Sequence, residues 1–285
     1  MTAALIVVLL VLTAGIVVAS TSIANLGKPV NVAPENLYFP LGGFHKATGI
    51  ARSSRPNAVL WIGTADSADS SSATERWAVV KALDQFGAFT GLKAAPQACS
   101  KPEGQTTCDV ATFDWVHARY VSRYISFVHK DMLDYQGRDL NALTSQEHAL
   151  FKHYVEITSC GHVPVGKSEH QRVVATATMH CPESTHRFPL ILIGHYVETV
   201  SADLPPTDLE TFVTYPNGTQ QGTGMSFKII HDSLLQGKDP PGGTVMEAVN
   251  REANLMTALM CRQDGAKPRS VCSRPFIQRI GSHAH

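Results

Sequence analysis

The spacing of apolar positions changes several times along this chain, and each change marks an element. Residues 3–19 are almost wholly apolar, and the first charged residue is Lys28. A run without an amphipathic period reads as a membrane-inserting segment, either a signal peptide or a single spanning helix. About 20 apolar residues suffice to cross a bilayer and no Lys or Arg precedes them, which favours an uncleaved anchor over residues 1–26. Small residues at 19–24 (ASTSIA) keep the cleaved, secreted alternative open. Residues 27–57 are rich in Pro, Gly and polar side chains without a sustained period and read as a linker. The apolar run 58–62 (AVLWI), closed by Gly63, predicts a buried strand. Ser72 and Glu75 have the spacing of a capping box, and Trp77, Val79, Val80, Leu83 and Phe86 recur at helical spacing until Gly87.

A second strand is expected over 119–128 (RYVSRYISFV), which has the aromatic and β-branched content of a strand. Thr144 and Glu147 form another capping-box pair, heading a helix with Leu150, Phe151, Tyr154 and Val155 on one side. Residues 159–187 break the pattern and read as an inserted hairpin or loop. Strands are expected at 188–193 and 195–200 around a tight turn at Gly194, then helices near 225–235 and 244–260. The order is β-α-β-α-β-β-α with one extra C-terminal helix, an α/β domain over 58–285.

Composition narrows the function classes. The chain carries 24 Lys+Arg against 24 Asp+Glu, and this zero balance argues against nucleic acid as a partner. With 44% hydrophobic and 17% charged residues it can bury a sizeable core. Six cysteines in a chain that leaves the cytoplasm point to disulfides rather than metal ligands. They permit several pairings but fall into three local couples: Cys99 with Cys108, Cys160 with Cys181, and Cys261 with Cys272. Closing such a loop could stabilise by roughly 3 kcal/mol. No C-x-x-C occurs, which removes the usual redox motif and zinc knuckle together.

The element order is that of thioredoxin, and some residues carry the likeness further. The segment Val59-Leu-Trp-Ile-Gly63 with the E-R-W-A helix (Glu75 to Ala78) resembles an uncharacterised prokaryotic, membrane-tethered thioredoxin-like family, a domain of unknown function. Residues 120–127, the Phe188-Pro189 strand, the helix over 253–258 ending in Cys261, and Cys272 extend the resemblance over about 55–273. It implies a thioredoxin-like three-layer fold in which residues 159–187 are a disulfide-stapled insertion. In that family a C-P-Y-C motif opens the helix; here its place is taken by Asp69-Ser70-Ser71-Ser72. Dithiol exchange needs a thiolate at the helix N-terminus and a second thiol to resolve the mixed disulfide, and serine supplies neither. Pro189 matches the position where such folds place a cis-proline beside the active-site loop, in a groove able to take an extended peptide; it serves equally to start an edge strand.

The other candidate chemistry is weak. Ser70, Ser71 and Ser72 lack a G-x-S-x-G elbow, and Ser72 reads as an N-cap. His162, His170, His180, His186 and His195 cluster near the insertion, and His283 and His285 end the chain, without metal-ligand spacing. The thirteen histidines make the chain positive below about pH 6.5. Asn217-Gly218-Thr219 fits a glycosylation sequon and also a plain turn. No cofactor and no metal are expected. The sequence therefore suggests an extracytoplasmic, membrane-anchored thioredoxin-like module that binds a protein or peptide without catalysis, using Asp69 to Ser72, Glu75, Trp77, Phe188 and Pro189. Its alternative is a thiol–disulfide oxidoreductase working through a non-standard cysteine pair.

Overall fold

The computed structural model describes residues 23–34, 43–47, 57–64, 69–101, 105–133, 140, 143–156, 189–199, 204–241 and 243–283. Residues 1–22, the whole of the expected insertion 159–187 with Cys160 and Cys181, and Phe188 lie outside them. The chain begins with β1 (His45–Lys46), β2 (Ala58–Gly63) and helix α1 (Ser70–Leu83). Six short strands follow: β3 (Gly87–Thr90), β4 (Lys93–Ala94), β5 (Cys99–Ser100), β6 (Thr107–Cys108), β7 (Phe113–Asp114) and β8 (Arg119–Ser122). Then come β9 (Ser126–Asp131), α2 (Ser145–Phe151) with a π-helical turn at Lys152–Glu156, β10 (Leu190–Ile193) and β11 (Tyr196–Thr199). The chain closes with β12 (Glu210–Thr214), β13 (Gln220–Gly224), α3 (Phe227–Gln236), α4 (Val245–Gln263), α5 (Arg269–Cys272) and α6 (Pro275–Ser282).

The main sheet is mixed, with order β1-β11-β10-β2-β9. Strand β2 is central: it runs parallel to β9 in the register Trp61↔His129 and antiparallel to β10 in the register Trp61↔Ile191. A strand covered by packed layers on both faces buries both alternating sets of side chains, which is why 58–62 is an unbroken apolar run. Val59, Trp61, Ile191 and Ile193 join one core with α1 and α4, while Ile62, Leu190, Leu192 and Val197 join Leu150, Phe151 and Tyr154 in another. Helices therefore cover both faces of the sheet. A mixed α/β architecture is what the periodicity led one to expect.

Several boundaries differ from the sequence reading, for local reasons. Helix α1 starts three residues early because Asp69 is the N-cap: its Oδ1 accepts from the Ser72 N–H (3.2 Å) and its Oδ2 from the Ser72 hydroxyl (2.7 Å). Ser72 lies inside the first turn, so the expected Ser72/Glu75 capping box does not form. The helix also ends before Gly87, which belongs to β3; a Cβ there would lie 2.4 Å from the Val121 carbonyl oxygen across the ladder. The expected strand at 119–128 is broken in two. Ser122 Oγ donates to Phe86 O (2.6 Å) and accepts from the N–H groups of Tyr124 (3.0 Å) and Ile125 (3.2 Å), turning the chain between β8 and β9.

The Thr144/Glu147 capping box is present, with Glu147 Oε2 accepting from Thr144 N–H at 2.8 Å and Thr144 Oγ1 from Glu147 N–H at 3.3 Å. Gly194, at φ +59°, makes the tight turn between β10 and β11. At Asn217 the side-chain oxygen accepts from the Thr219 N–H (2.9 Å) and hydroxyl (2.7 Å), the turn geometry that the Asn-Gly pair favours. Two helices, α5 and α6, extend the C-terminus beyond the one extra helix expected. Disulfides join Cys99 to Cys108 and Cys261 to Cys272.

The end of the segment expected as an anchor (Ala24 and Leu26) and parts of the expected linker belong to the fold. Ala24, Leu26 and Phe44 are buried, β1 pairs with β11, and Asn254 Nδ2 donates to the carbonyls of Val30 (2.7 Å) and Val32 (3.1 Å). Val30 N–H donates in turn to Asn250 Oδ1 (3.0 Å). Among the described residues no helix is long and apolar enough to cross a membrane; the apolar run at 3–19 lies outside them.

Candidate functional site

Helix α1 decides what the site can be, because apolar residues fall at consecutive positions from Trp77 to Val80 and leave it no polar face. It is buried from Ser72 to Leu83, and whatever charge it carries is carried into the interior. Only Ser70 and Ser71 at its head are half-buried. Burial raises the Asp69 carboxyl above its ordinary value, and the hydrogen bonds from Ser72 hold it back.

Beside this helix start lies a cleft of about 400 Å³, lined by Ser70, Cys99, Cys108, Asp109, Glu210 and Gln221 among others. Its walls are the β5–β6 and β12–β13 hairpins, which Cys108 joins by donating its N–H to Thr223 Oγ1 at 2.8 Å. The expected groove residues do not all meet here. Trp77 is fully buried, its Nε1 donating to Ala111 O (2.8 Å) and its ring against Phe113 and Phe227. It is a core residue rather than a groove wall. Pro189 is buried at the head of β10 and is not among the described residues that line the cleft; Phe188 lies outside the described residues.

Two buried charged clusters flank α1. Arg76, 0% exposed, forms an ion pair with Asp131 (Nη2 to Oδ1, 2.6 Å) and donates to Phe113 O and Thr64 O, both at 2.7 Å. Asp131 also accepts from Trp61 Nε1 (3.1 Å) and Trp115 Nε1 (2.8 Å), while the guanidinium lies 5.6 and 4.9 Å from those indole rings. Burial lowers the Arg76 pKa, and Asp131 opposes that shift. Stacked on Trp115 is His129, whose pKa is also lowered by burial, again against the pull of Asp131. This buried cluster braces α1 against β2 and β9.

On the side of α1 toward α4, Glu75, Glu198 and Glu252 are all at most 1% exposed, and one oxygen of each lies within 4.8 Å of the others. Three hard oxygen donors at this spacing could hold a divalent cation or share protons. Sequence reasoning singled out Glu75 alone, since Glu198 and Glu252 are far from it in sequence and sit in a strand and a helix with no common motif. The available signal was that α1, once read as buried on all sides, must find partners for Glu75 and Arg76. Lys81, also on α1, donates to Leu26 O; burial lowers its pKa to about 8.

Among the described residues the singled-out histidines do not converge. His195 occupies the β10–β11 turn and His283 caps α6, while His162, His170, His180, His186 and His285 lie outside the described residues. Compared with family models, curated proteins and solved structures, the chain matches none.

Proposed function

We propose that this chain is a thioredoxin-like domain, exported and held at the membrane by its N-terminal apolar segment, that binds a polypeptide segment at the head of α1 without dithiol chemistry at that helix. The strand order β9-β2-β10-β11, with one parallel pair, a β10–β11 hairpin and α1 following β2, supports the fold. The Asp69-Ser70-Ser71-Ser72 loop supports the loss of helix-head redox chemistry, because Asp69 is engaged as an N-cap and no sulfur replaces the dithiol. The observation that carries the binding role is the cleft itself. It sits at the helix start, is framed by two hairpins, and offers carboxylates, hydroxyls and an amide to an extended chain.

The test uses a library of 15-residue peptides displayed against the purified domain, with Gln221→Trp as a cleft-filling variant. Selective binding to the unmodified protein, weakened at least tenfold by Gln221→Trp, is expected. Absence of peptide binding, or equal binding by the variant, would refute the proposal.

A further inference from the structure

The two described disulfides occupy opposite environments. Cys261 and Cys272 are 7% and 2% exposed and belong to the main core. Cys99 is exposed and Cys108 half-buried, and both line the cleft at the head of α1. A thiol reaches sulfur only by approaching along the S–S axis, so access separates an exchangeable bridge from a structural one.

The hairpin holding Cys99 and Cys108 does not depend on their bond alone. The two residues face each other across the β5–β6 ladder with Cα atoms 4.0 Å apart. Asp109 N–H donates to Ala98 O (3.0 Å) on one side, and the hydroxyls of Ser100 and Thr107 meet at 3.0 Å on the other. The Cys108 N–H to Thr223 contact and Gln97 Nε2, which donates to Asp109 O at 2.7 Å, fix β6 from outside. Two thiols produced by reduction therefore stay opposite each other and can close again, as a reversible pair requires.

We propose that Cys99–Cys108 is an exchangeable disulfide that oxidises a polypeptide dithiol presented in the cleft. A substrate thiolate attacks Sγ of Cys99, the more exposed residue of the pair. The Cys99–Cys108 bond breaks, its electron pair leaves on Cys108 Sγ, which takes up a proton, and the substrate is held as a mixed disulfide on Cys99. The second substrate thiolate attacks the substrate's own sulfur in that bond, forming the substrate disulfide and releasing Cys99 as a thiolate that is protonated in turn. Two electrons and two protons pass from the dithiol to the protein. An oxidised small-molecule disulfide such as oxidised glutathione restores the bridge by the reverse exchange. The choice of a polypeptide substrate rests on the binding role proposed for the cleft, whereas the exchange itself rests on exposure.

The experiment places the oxidised, full-length protein in graded glutathione redox buffers, traps free thiols by alkylation, and maps the labelled cysteines by mass spectrometry while tryptophan fluorescence follows the fold. Cys99 and Cys108 should become labelled together at potentials where Cys261 and Cys272 remain oxidised and the fluorescence is native. If the first pair resists until the protein unfolds, or both pairs reduce together, the exchange is overturned. A second arm compares reduction by a dithiol peptide with reduction by dithiothreitol at equal thiol concentration, in the unmodified protein and in Gln221→Trp. Faster reaction with the peptide, slowed about tenfold by the substitution, supports the substrate class. Exchange with dithiothreitol that shows neither peptide preference nor sensitivity to Gln221→Trp overturns that class and the cleft's binding role, and leaves the exchangeable bridge standing. Trapping gives the direction of attack: Cys108→Ser, which keeps Cys99, should capture a peptide disulfide at least tenfold faster than Cys99→Ser, and the reverse ranking overturns the assignment of Cys99 as the attacked sulfur.

Discussion

Replacing Arg76 with Met keeps much of the aliphatic stem and removes the guanidinium from a place where Arg76 is 0% and Asp131 1% exposed. The ion pair at 2.6 Å disappears, and the carbonyls of Phe113 and Thr64 lose donors at 2.7 Å. Removing one partner of a buried pair costs about 3–5 kcal/mol, because the remaining charge was desolvated on the strength of its neighbour. The carbonyls add about 1 kcal/mol each. Asp131→Asn should cost a similar ~3–5 kcal/mol from the other side. An amide has one acceptor oxygen where the carboxylate has two, so one of the indole N–H groups of Trp61 and Trp115 would face a donor. The double variant Arg76→Met/Asp131→Asn removes both charges and should fall short of the summed single costs by about 2 kcal/mol or more.

Urea titration at neutral pH with the disulfides intact measures all four proteins, and Trp61 and Trp115 report on the site itself. At the low end of ordinary domain stability, about 5 kcal/mol, either single variant would be left marginal. Costs below about 1 kcal/mol for the singles, or additivity within about 0.5 kcal/mol, would show that the pair does not brace α1 and would refute the reasoning.

Two further outcomes follow from the same helix. Lys81 is pushed down to about 8 from its ordinary value of 10.5, so between these values the unfolded chain holds a proton that the folded one has released. Folded stability contributed by this group must therefore rise with pH across that window, by about 3 kcal/mol at 1.36 kcal/mol per unit. In Lys81→Met that rise should vanish from the difference between variant and unmodified protein, and parallel stability curves from pH 7 to 10.5 would contradict it. Asp69→Ala removes both hydrogen bonds to Ser72 and should lower stability by about 1 kcal/mol in the same denaturation assay, with no measurable loss arguing against Asp69 as the N-cap.

How far the sequence revealed this molecule depended on whether a signal was local. The unbroken run in β2 and the Thr144/Glu147 capping box are decided by residues within a few positions of one another, and both were legible. Helix α1 was legible as a helix but not in its cap, because Ser72 and Asp69 are both good N-cap residues and only the geometry shows which one accepts. The hairpins β12–β13 and β5–β6 escaped, since strands such as Gln220–Gly224 have no apolar alternation and are held by backbone pairing and by contacts remote in sequence. The same limit applies to the candidate site. That Cys99 lies beside Ser70, or that Glu75 meets Glu198 and Glu252, depends on how the chain is wound and not on any spacing within it.

The stitching of residues 23–34 onto α1 and α4 has a mechanical meaning. Lys81 grips Leu26, while Asn250 and Asn254 grip Val30 and Val32, so a pull on this segment loads contacts to both helices at once. Tension applied to residues 26–32 passes through these contacts directly into the two central helices.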